Sequence, residues 1–234
     1  MKYKTLLFDL DDTLYDGSGP WIYSIDKTAK YLSEKYPNKD FSDLNDVVNQ
    51  LKKEARARNP NTYAFAIRSL LLRDALNYYD IDYSWGELVE IEGKYWEYFH
   101  EAIQPIDGVK SFIAELSNEY QLYVLTDFTF THQIKRINKL GLGDYFEDVI
   151  TAQEVGEIKK TGKIYRYTLD KYQLDPEKTV MIGDTVNADI LPAKELGLTT
   201  ILVPNAFFPP TEEDKKSADY FLDSVLNIRS VLDS

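Results

Sequence analysis

Five runs of apolar residues, each of strand length and each cut off by polar groups or a proline, constrain this chain more than any other feature. The first is Leu6-Leu7-Phe8, which stops at Asp9 and runs on through Leu10, Asp11, Asp12 and Thr13. The second, Leu122-Tyr123-Val124-Leu125, ends in Thr126-Asp127, and Asp148-Val149-Ile150-Thr151 is a shorter third. The fourth, Thr179-Val180-Met181-Ile182-Gly183, ends at Asp184, and Thr199-Thr200-Ile201-Leu202-Val203 stops before Pro204. Short continuous hydrophobic runs of this kind suit strands buried on both faces. Between them, apolar residues recur at helical spacing. Residues 109–120 place Val109, Phe112, Ile113 and Leu116 on one face, and 132–142 offer Ile134, Ile137 and Leu140 before Gly141 and Gly143. Residues 164–172 and 188–196 are the next two helical patterns, the latter stopped by Gly197. Strands alternating with helices predict an α/β fold, a doubly wound parallel sheet with right-handed crossovers. Tyr220-Phe221-Leu222 reads as an edge strand.

The spacing breaks once. A strand-helix-strand unit needs about 30 residues, yet more than a hundred separate Asp9 from Thr126. That stretch reads as helix over 22–36, 44–58, 63–79 and 85–102, punctuated by Pro37, Asn59-Pro60, residues 80–84 and Pro105. The expected organisation is therefore a core of 1–15 and 103–234 with a helical domain of 16–102 inserted after the acidic loop. Such an insertion is expected over the mouth of the site, with hinges near Asp16-Gly17-Ser18-Gly19 and Gln104-Pro105.

Composition narrows the function classes. The 234 residues carry a formal net charge of -12, which argues against a polynucleotide partner. The absence of cysteine excludes disulfides, thiolate metal sites and cysteine nucleophiles. No run approaches membrane-spanning length, and Met1-Lys2-Tyr3-Lys4 leads straight into the first strand without a signal-peptide pattern. The expectation is a soluble cytoplasmic protein with no membrane partner.

Ligands of open α/β sheets bind outside the carboxyl ends of the strands, which is where Asp9 and Asp11 fall. Crowded carboxylates repel unless a cation or shared proton relieves them, and Mg²⁺ is the oxygen-seeking ion expected to do so. Other strand ends add Thr126, Lys159 or Lys160, Asp184 and Asp189. Phosphoryl transfer needs a nucleophile, a proton donor, a metal and groups that hold phosphate oxygens, and this set supplies each once Mg²⁺ is bound. Other readings of single residues stand beside these. Asp12 suits a loop acid, Thr13 a hydroxyl brace, and Asp184 in Gly183-Asp184-Thr185 fits a helix N-cap as well as a metal ligand. His100 and His132 are too few and too far apart for a metal site. Lys52-Lys53-Glu54-Ala55-Arg56-Ala57-Arg58 reads as a solvated helix face, and Tyr15, Trp21 and Tyr23 follow the acidic loop closely enough to be candidates for substrate contact.

The order of these residues resembles the haloacid dehalogenase (HAD) superfamily, in its phosphatase branch. Asp-x-Asp-x-Thr is present as Asp9-Leu10-Asp11-Asp12-Thr13, the strand ending in Ser/Thr as Leu125-Thr126, the motif lysine as Lys159 after Glu154-Val155-Gly156-Glu157-Ile158, and Gly-Asp-x-x-x-x-Asp as Gly183-Asp184 with Asp189. The resemblance implies a Rossmann-like core with an all-helical cap, and a Mg²⁺-dependent phosphatase acting on a small phosphorylated metabolite. It implies Asp9 as nucleophile forming an aspartyl-phosphate and Asp11 as general acid and base. It also implies Mg²⁺ held by Asp9, Asp184 and the backbone carbonyl of Asp11, with phosphate bound by Thr126, the backbone N–H of Asp127 and Lys159. Asp189 would orient Lys159 or a metal-bound water from behind. Two positions depart from the family pattern. Asp127 stands where Asn is frequent, and Lys159-Lys160-Thr161-Gly162 replaces Lys-Pro-x-Pro, with Lys160 expected to face solvent. The alternatives are phosphotransfer on sugar phosphates, as in a phosphomutase, and metal-independent 2-haloacid hydrolysis. The latter needs neither Asp11 nor Asp184.

Overall fold

The computed structural model describes residues 2–205 and 208–233. Strand β1 (Thr5–Phe8) is followed by four helices, α1 (Ser18–Lys35), α2 (Leu44–Arg58), α3 (Arg68–Tyr78) and α4 (Trp85–Ala102). Then come α5 (Val109–Leu116), β2 (Gln121–Thr126), α6 (Phe130–Lys139), β3 (Asp148–Thr151), α7 (Ala152–Val155) and α8 (Lys163–Tyr172). The chain continues through β4 (Thr179–Gly183), α9 (Leu191–Lys194), β5 (Thr199–Leu202) and β6 (Tyr220–Phe221). It divides into two compact units, Met1–Asp16 with Gln104–Ser234, and Gly17–Ile103.

The first unit is built on one six-stranded sheet in the order β3-β2-β1-β4-β5-β6, every pair parallel. The expected edge strand is β6, two residues long, paired to β5. Leu6, Leu7 and Phe8 have no exposure because β1 is central and covered on both faces; burying each such side chain contributes about 1.5–3 kcal/mol. Strands β2 and β3 lie on one side of β1 and β4 to β6 on the other, so the winding reverses at β1, and the switch point between β1 and its two neighbours is where such sheets bind ligands. Register aligns the strand ends there: Phe8 sits opposite Val124 in β2 and Ile182 in β4. Just beyond β1, Tyr15 forms isolated bridges with Asp11 and with Pro105. The points at which the polypeptide leaves and re-enters this unit are thereby fastened side by side.

The second unit contains α1 to α4. Ser84 and Glu87 form a reciprocal capping box at the start of α4. The single helix expected over 63–79 is instead a 3₁₀ turn (Tyr63–Ala66) and α3, separated by Ile67 in extended conformation. The hydroxyl of Thr62 accepts the Ala64 N–H at 3.4 Å, which caps the short turn and offers its backbone an alternative to a longer helix. Arg68, at the start of α3, is buried against aromatic rings: its guanidinium lies 4.2 Å from the centroid of Trp21 and donates from Nε to Tyr95 Oη at 3.1 Å. The basic stretch of α2 is largely exposed, while Lys52 and Arg56 lie over the rings of Trp21 and Phe65. His100 and His132 fall in different units. Among the described residues no helix is long and apolar enough to cross a membrane.

Candidate active site

The loop after β1 delivers two carboxylates. Asp9 follows the buried strand directly and its backbone N–H remains in the ladder, donating to Ile182 O at 2.9 Å. Asp12 turns the chain with φ of 64°, a left-handed conformation that aspartate tolerates better than most residues. Thr13 is the brace expected of it, donating from Oγ1 to Asp9 Oδ2 at 3.2 Å.

Lys159 reaches the same place from a turn between β3 and α8. The turn Lys159–Thr161 is closed by Gly162, at φ of 73°, whose N–H donates to Lys159 O at 2.9 Å. A left-handed glycine thus ends the turn where the family pattern has proline. Lys159 is buried, and its Nζ donates to Asp9 Oδ1 at 2.5 Å and to Asp189 Oδ1 at 2.6 Å. Lys160 is exposed. The carboxylate of Asp127 accepts the Lys159 backbone N–H at 2.6 Å, so this departure from the family pattern ties the lysine turn to the end of β2.

The loop after β4 supplies Asp184 and Asp189. Residues Val186–Ile190 form a π-helical turn that runs directly into α9. Tyr165 of α8 holds that turn, donating to Ala188 O at 2.7 Å. Asp189 is fully buried and folds back over Gly183, accepting the Thr185 N–H at 3.0 Å. A Cβ at Gly183 would collide with the Asp189 carboxyl group, so this close approach needs glycine. Asp184 accepts from Asn205 Nδ2 at 2.6 Å and from the Thr185 hydroxyl at 3.2 Å.

Carboxylate oxygens of Asp9, Asp184 and Asp189 all lie within 4.8 Å of one another. Burial pushes Asp9 well above the usual carboxylate range; Lys159 opposes this, while Asp189, Asp184 and Asp11 add to it. Burial, then Asp189, pushes Asp184 up to about 7 against the lowering effect of the Asn205 amide. Burial works against the charge on Lys159, but Asp189 and Asp9 outweigh it and hold the ammonium well above its ordinary value. With all three carboxylates ionised, one ammonium would leave two negative charges uncompensated, and all the donors are hard oxygens. That charge and donor chemistry fit Mg²⁺.

Asp11 belongs to a second, adjoining network. Its Oδ1 accepts from Arg136 Nη1 at 2.5 Å and from the Tyr15 hydroxyl, and its Oδ2 accepts from Gln133 Nε2 at 2.6 Å. Gln133 also donates to Thr126 Oγ1 at 2.5 Å. Tyr15 is fully buried, and burial first, then Asp11, pushes its hydroxyl well above the ordinary tyrosine range against the pull of Arg136.

The structure thus brings Asp9, Lys159, Asp184 and Asp189 into one cluster, and joins Asp11 to Thr126 through Gln133. Sequence reasoning missed Gln133, Arg136, Asn205 and Tyr165. On α6 it placed Ile137 and Leu140 correctly, both buried, but Ile134 is 40% exposed and Gln133 and Arg136 share the buried face. The available signal was two polar residues three apart, in step with Ile137 and Leu140.

The chain belongs to the haloacid dehalogenase-like hydrolases, whose family model matches residues 3–197. It is 27% identical over 230 residues to a glyceraldehyde 3-phosphate phosphatase of Methanocaldococcus jannaschii, covering 98% of this chain and 96% of that protein. It is also 27% identical to a ribulose-1,5-bisphosphate 5-phosphatase of Halopiger xanaduensis, over 92% of this chain and 89% of that one. In fold it is similar to the crystal structure of the HAD-hydrolase YfnB of Bacillus subtilis bound to magnesium, with a TM-score of 0.75 at 24% identity and full coverage of both chains.

Proposed function

We propose that this hydrolase is a Mg²⁺-dependent phosphatase acting on a small phosphate monoester, of the sugar-phosphate kind, through an aspartyl-phosphate on Asp9. One observation carries the reading: three separate strand-end segments deliver Asp9, Lys159, Asp184 and Asp189 to one cluster, with Lys159 Nζ 2.5 Å from Asp9. Both relatives named above are phosphatases of phosphorylated sugars, and the YfnB crystal form contains magnesium.

Asp9 and Asp184, with the backbone carbonyl of Asp11, would hold the metal; Asp189 is already engaged by Lys159 and the Thr185 amide. The bound ion would draw the anionic phosphate towards a carboxylate that otherwise repels it. Asp9 Oδ attacks phosphorus, and the ester oxygen leaves with a proton from Asp11. Asp11 then takes a proton from the water that attacks the aspartyl-phosphate, restoring Asp9 and releasing inorganic phosphate. Lys159 and the Thr126 hydroxyl hold the phosphoryl oxygens, and the Asp127 N–H adds a further donor. Thr13 keeps the Asp9 carboxylate from rotating. The Gly17–Ile103 unit is assigned the role of a helical cap that selects the leaving group.

The test is phosphate release from an aryl phosphate and from a panel of sugar phosphates, with Mg²⁺ and with EDTA. Turnover should require Mg²⁺ and should vanish in Asp9→Asn and Asp11→Asn with the circular dichroism unchanged. Full activity in Asp9→Asn ends the mechanism, and hydrolysis of a 2-haloacid that survives EDTA would replace it.

A further inference from the structure

Thr126 ends β2 with its side chain fully buried, and its hydrogen bonds decide where its proton points. A threonine oxygen accepts two hydrogen bonds and donates one. Gln133 Nε2 donates to Thr126 Oγ1 at 2.5 Å, and the Phe128 N–H donates to the same atom at 3.2 Å. Both acceptor positions are filled, so the hydroxyl proton is left for a third group.

The orientation of the Gln133 amide is itself fixed. Its Oε1 accepts from Arg136 Nη1 at 3.2 Å, and a guanidinium has no acceptor to offer in return. The amide nitrogen must therefore face Thr126 and Asp11, to whose Oδ2 it gives its other hydrogen at 2.6 Å. Gln133 and Arg136 are both buried. Arginine, glutamine and threonine stand in donor-to-acceptor series, and the series runs out at the Thr126 proton.

We propose that Gln133, locked by Arg136, is a positioning residue that makes the Thr126 hydroxyl an obligatory donor to an anionic oxygen of the ligand and holds the Asp11 carboxylate beside it. The identity of that anion as phosphate rests on the phosphatase reading. A fully ionised phosphoryl group presents only acceptors, which is what a hydroxyl held as a donor selects. Gln133 acts through Thr126 and does not touch the ligand.

The test measures inorganic phosphate binding to the Mg²⁺-loaded protein by calorimetry, alongside KM and kcat on an aryl phosphate. The variants are Gln133→Met, Gln133→Glu, Thr126→Val, Thr126→Ser and the Gln133→Met/Thr126→Val pair. Loss of one hydrogen bond to a charged group corresponds to roughly ten-fold or more in affinity, and that is the expected weakening in Thr126→Val and Gln133→Met. The double variant should bind no more weakly than Thr126→Val, because the glutamine works through the hydroxyl; a merely structural role would add a second loss. Gln133→Glu should weaken binding at least as much as Gln133→Met, since its carboxylate captures the Thr126 proton. Thr126→Ser should bind like the parent. Parental phosphate affinity in Gln133→Glu, fully additive losses in the double variant, or no phosphate binding by the parent protein would each overturn the proposal. Phosphate binding with this pattern but no ester hydrolysis would sink the phosphatase reading and leave the relay standing.

Discussion

Replacing Lys159 by methionine would remove the ammonium from among its carboxylates while keeping an unbranched stem in place. Nζ lies 2.5 Å from Asp9 Oδ1 and 2.6 Å from Asp189 Oδ1, with the lysine side chain 4% exposed and that of Asp189 at 0%. Breaking a buried ion pair from one side costs about 3–5 kcal/mol because the partner stays buried without its counter-charge. The lower end applies here: Asp9 can take up a proton, and Asp189 keeps its bond from the Thr185 N–H at 3.0 Å. For a protein of this size each kcal/mol moves Tm by about 2–4 °C, so the sheet unit should melt roughly 6–12 °C earlier in EDTA. Scanning calorimetry is the assay, because Trp21, Trp85 and Trp96 all belong to the Gly17–Ile103 unit and tryptophan fluorescence does not report on the sheet. Adding Asp189→Asn to Lys159→Met should recover part of the loss, since one buried carboxylate then disappears. A single-variant loss below about 1 kcal/mol, the scale of an exposed pair, would refute the reasoning, as would no recovery in the double variant.

Gly183→Ala should cost about 1–3 kcal/mol through overpacking and should lower turnover, because the new methyl displaces the Asp189 carboxyl; unchanged melting and kinetics would contradict that. Ile134→Lys should leave stability within about 0.5 kcal/mol, since Ile134 is 40% exposed; a large loss in a melting curve would restore Ile134 to the buried face of α6. For Asp184, pushed up to about 7, the folded metal-free protein holds its proton more tightly than the unfolded chain does. That stabilising contribution is full below the ordinary carboxylate range and is lost as pH rises through about 7. On the proposed Mg²⁺ reading the ion would take the ionised form, so Tm measured against pH should decline in EDTA and decline less with Mg²⁺.

Much of this was legible because apolar runs and their polar stops are local. The strand ends carrying Asp9, Thr126 and Asp184 fall within a residue of where the pattern put them. The helices over 44–58 and 85–102 match their expected bounds, since each has clear punctuation on both sides. What failed depends on the third dimension. Helix α6 turns Gln133 and Arg136 inward beside Ile137 because they meet Asp11 and Thr126, so apolar residues alone do not mark its whole buried side. The helix expected over 188–196 opens as a π-helical turn at 186–190, within which Asp189 folds back to Lys159 and Thr185, and spacing in the chain does not reveal a carboxylate turned towards its own strand. Asn205 lies just beyond β5, in a segment that offered only prolines to read, so its bond to Asp184 had no local signal.

The bridge between Tyr15 and Pro105 has a bearing on how this architecture can change. To the sheet, eighty-odd intervening residues amount to a closed detour whose two feet are already stitched together. Such a detour can be lengthened, trimmed or exchanged without re-threading a single strand.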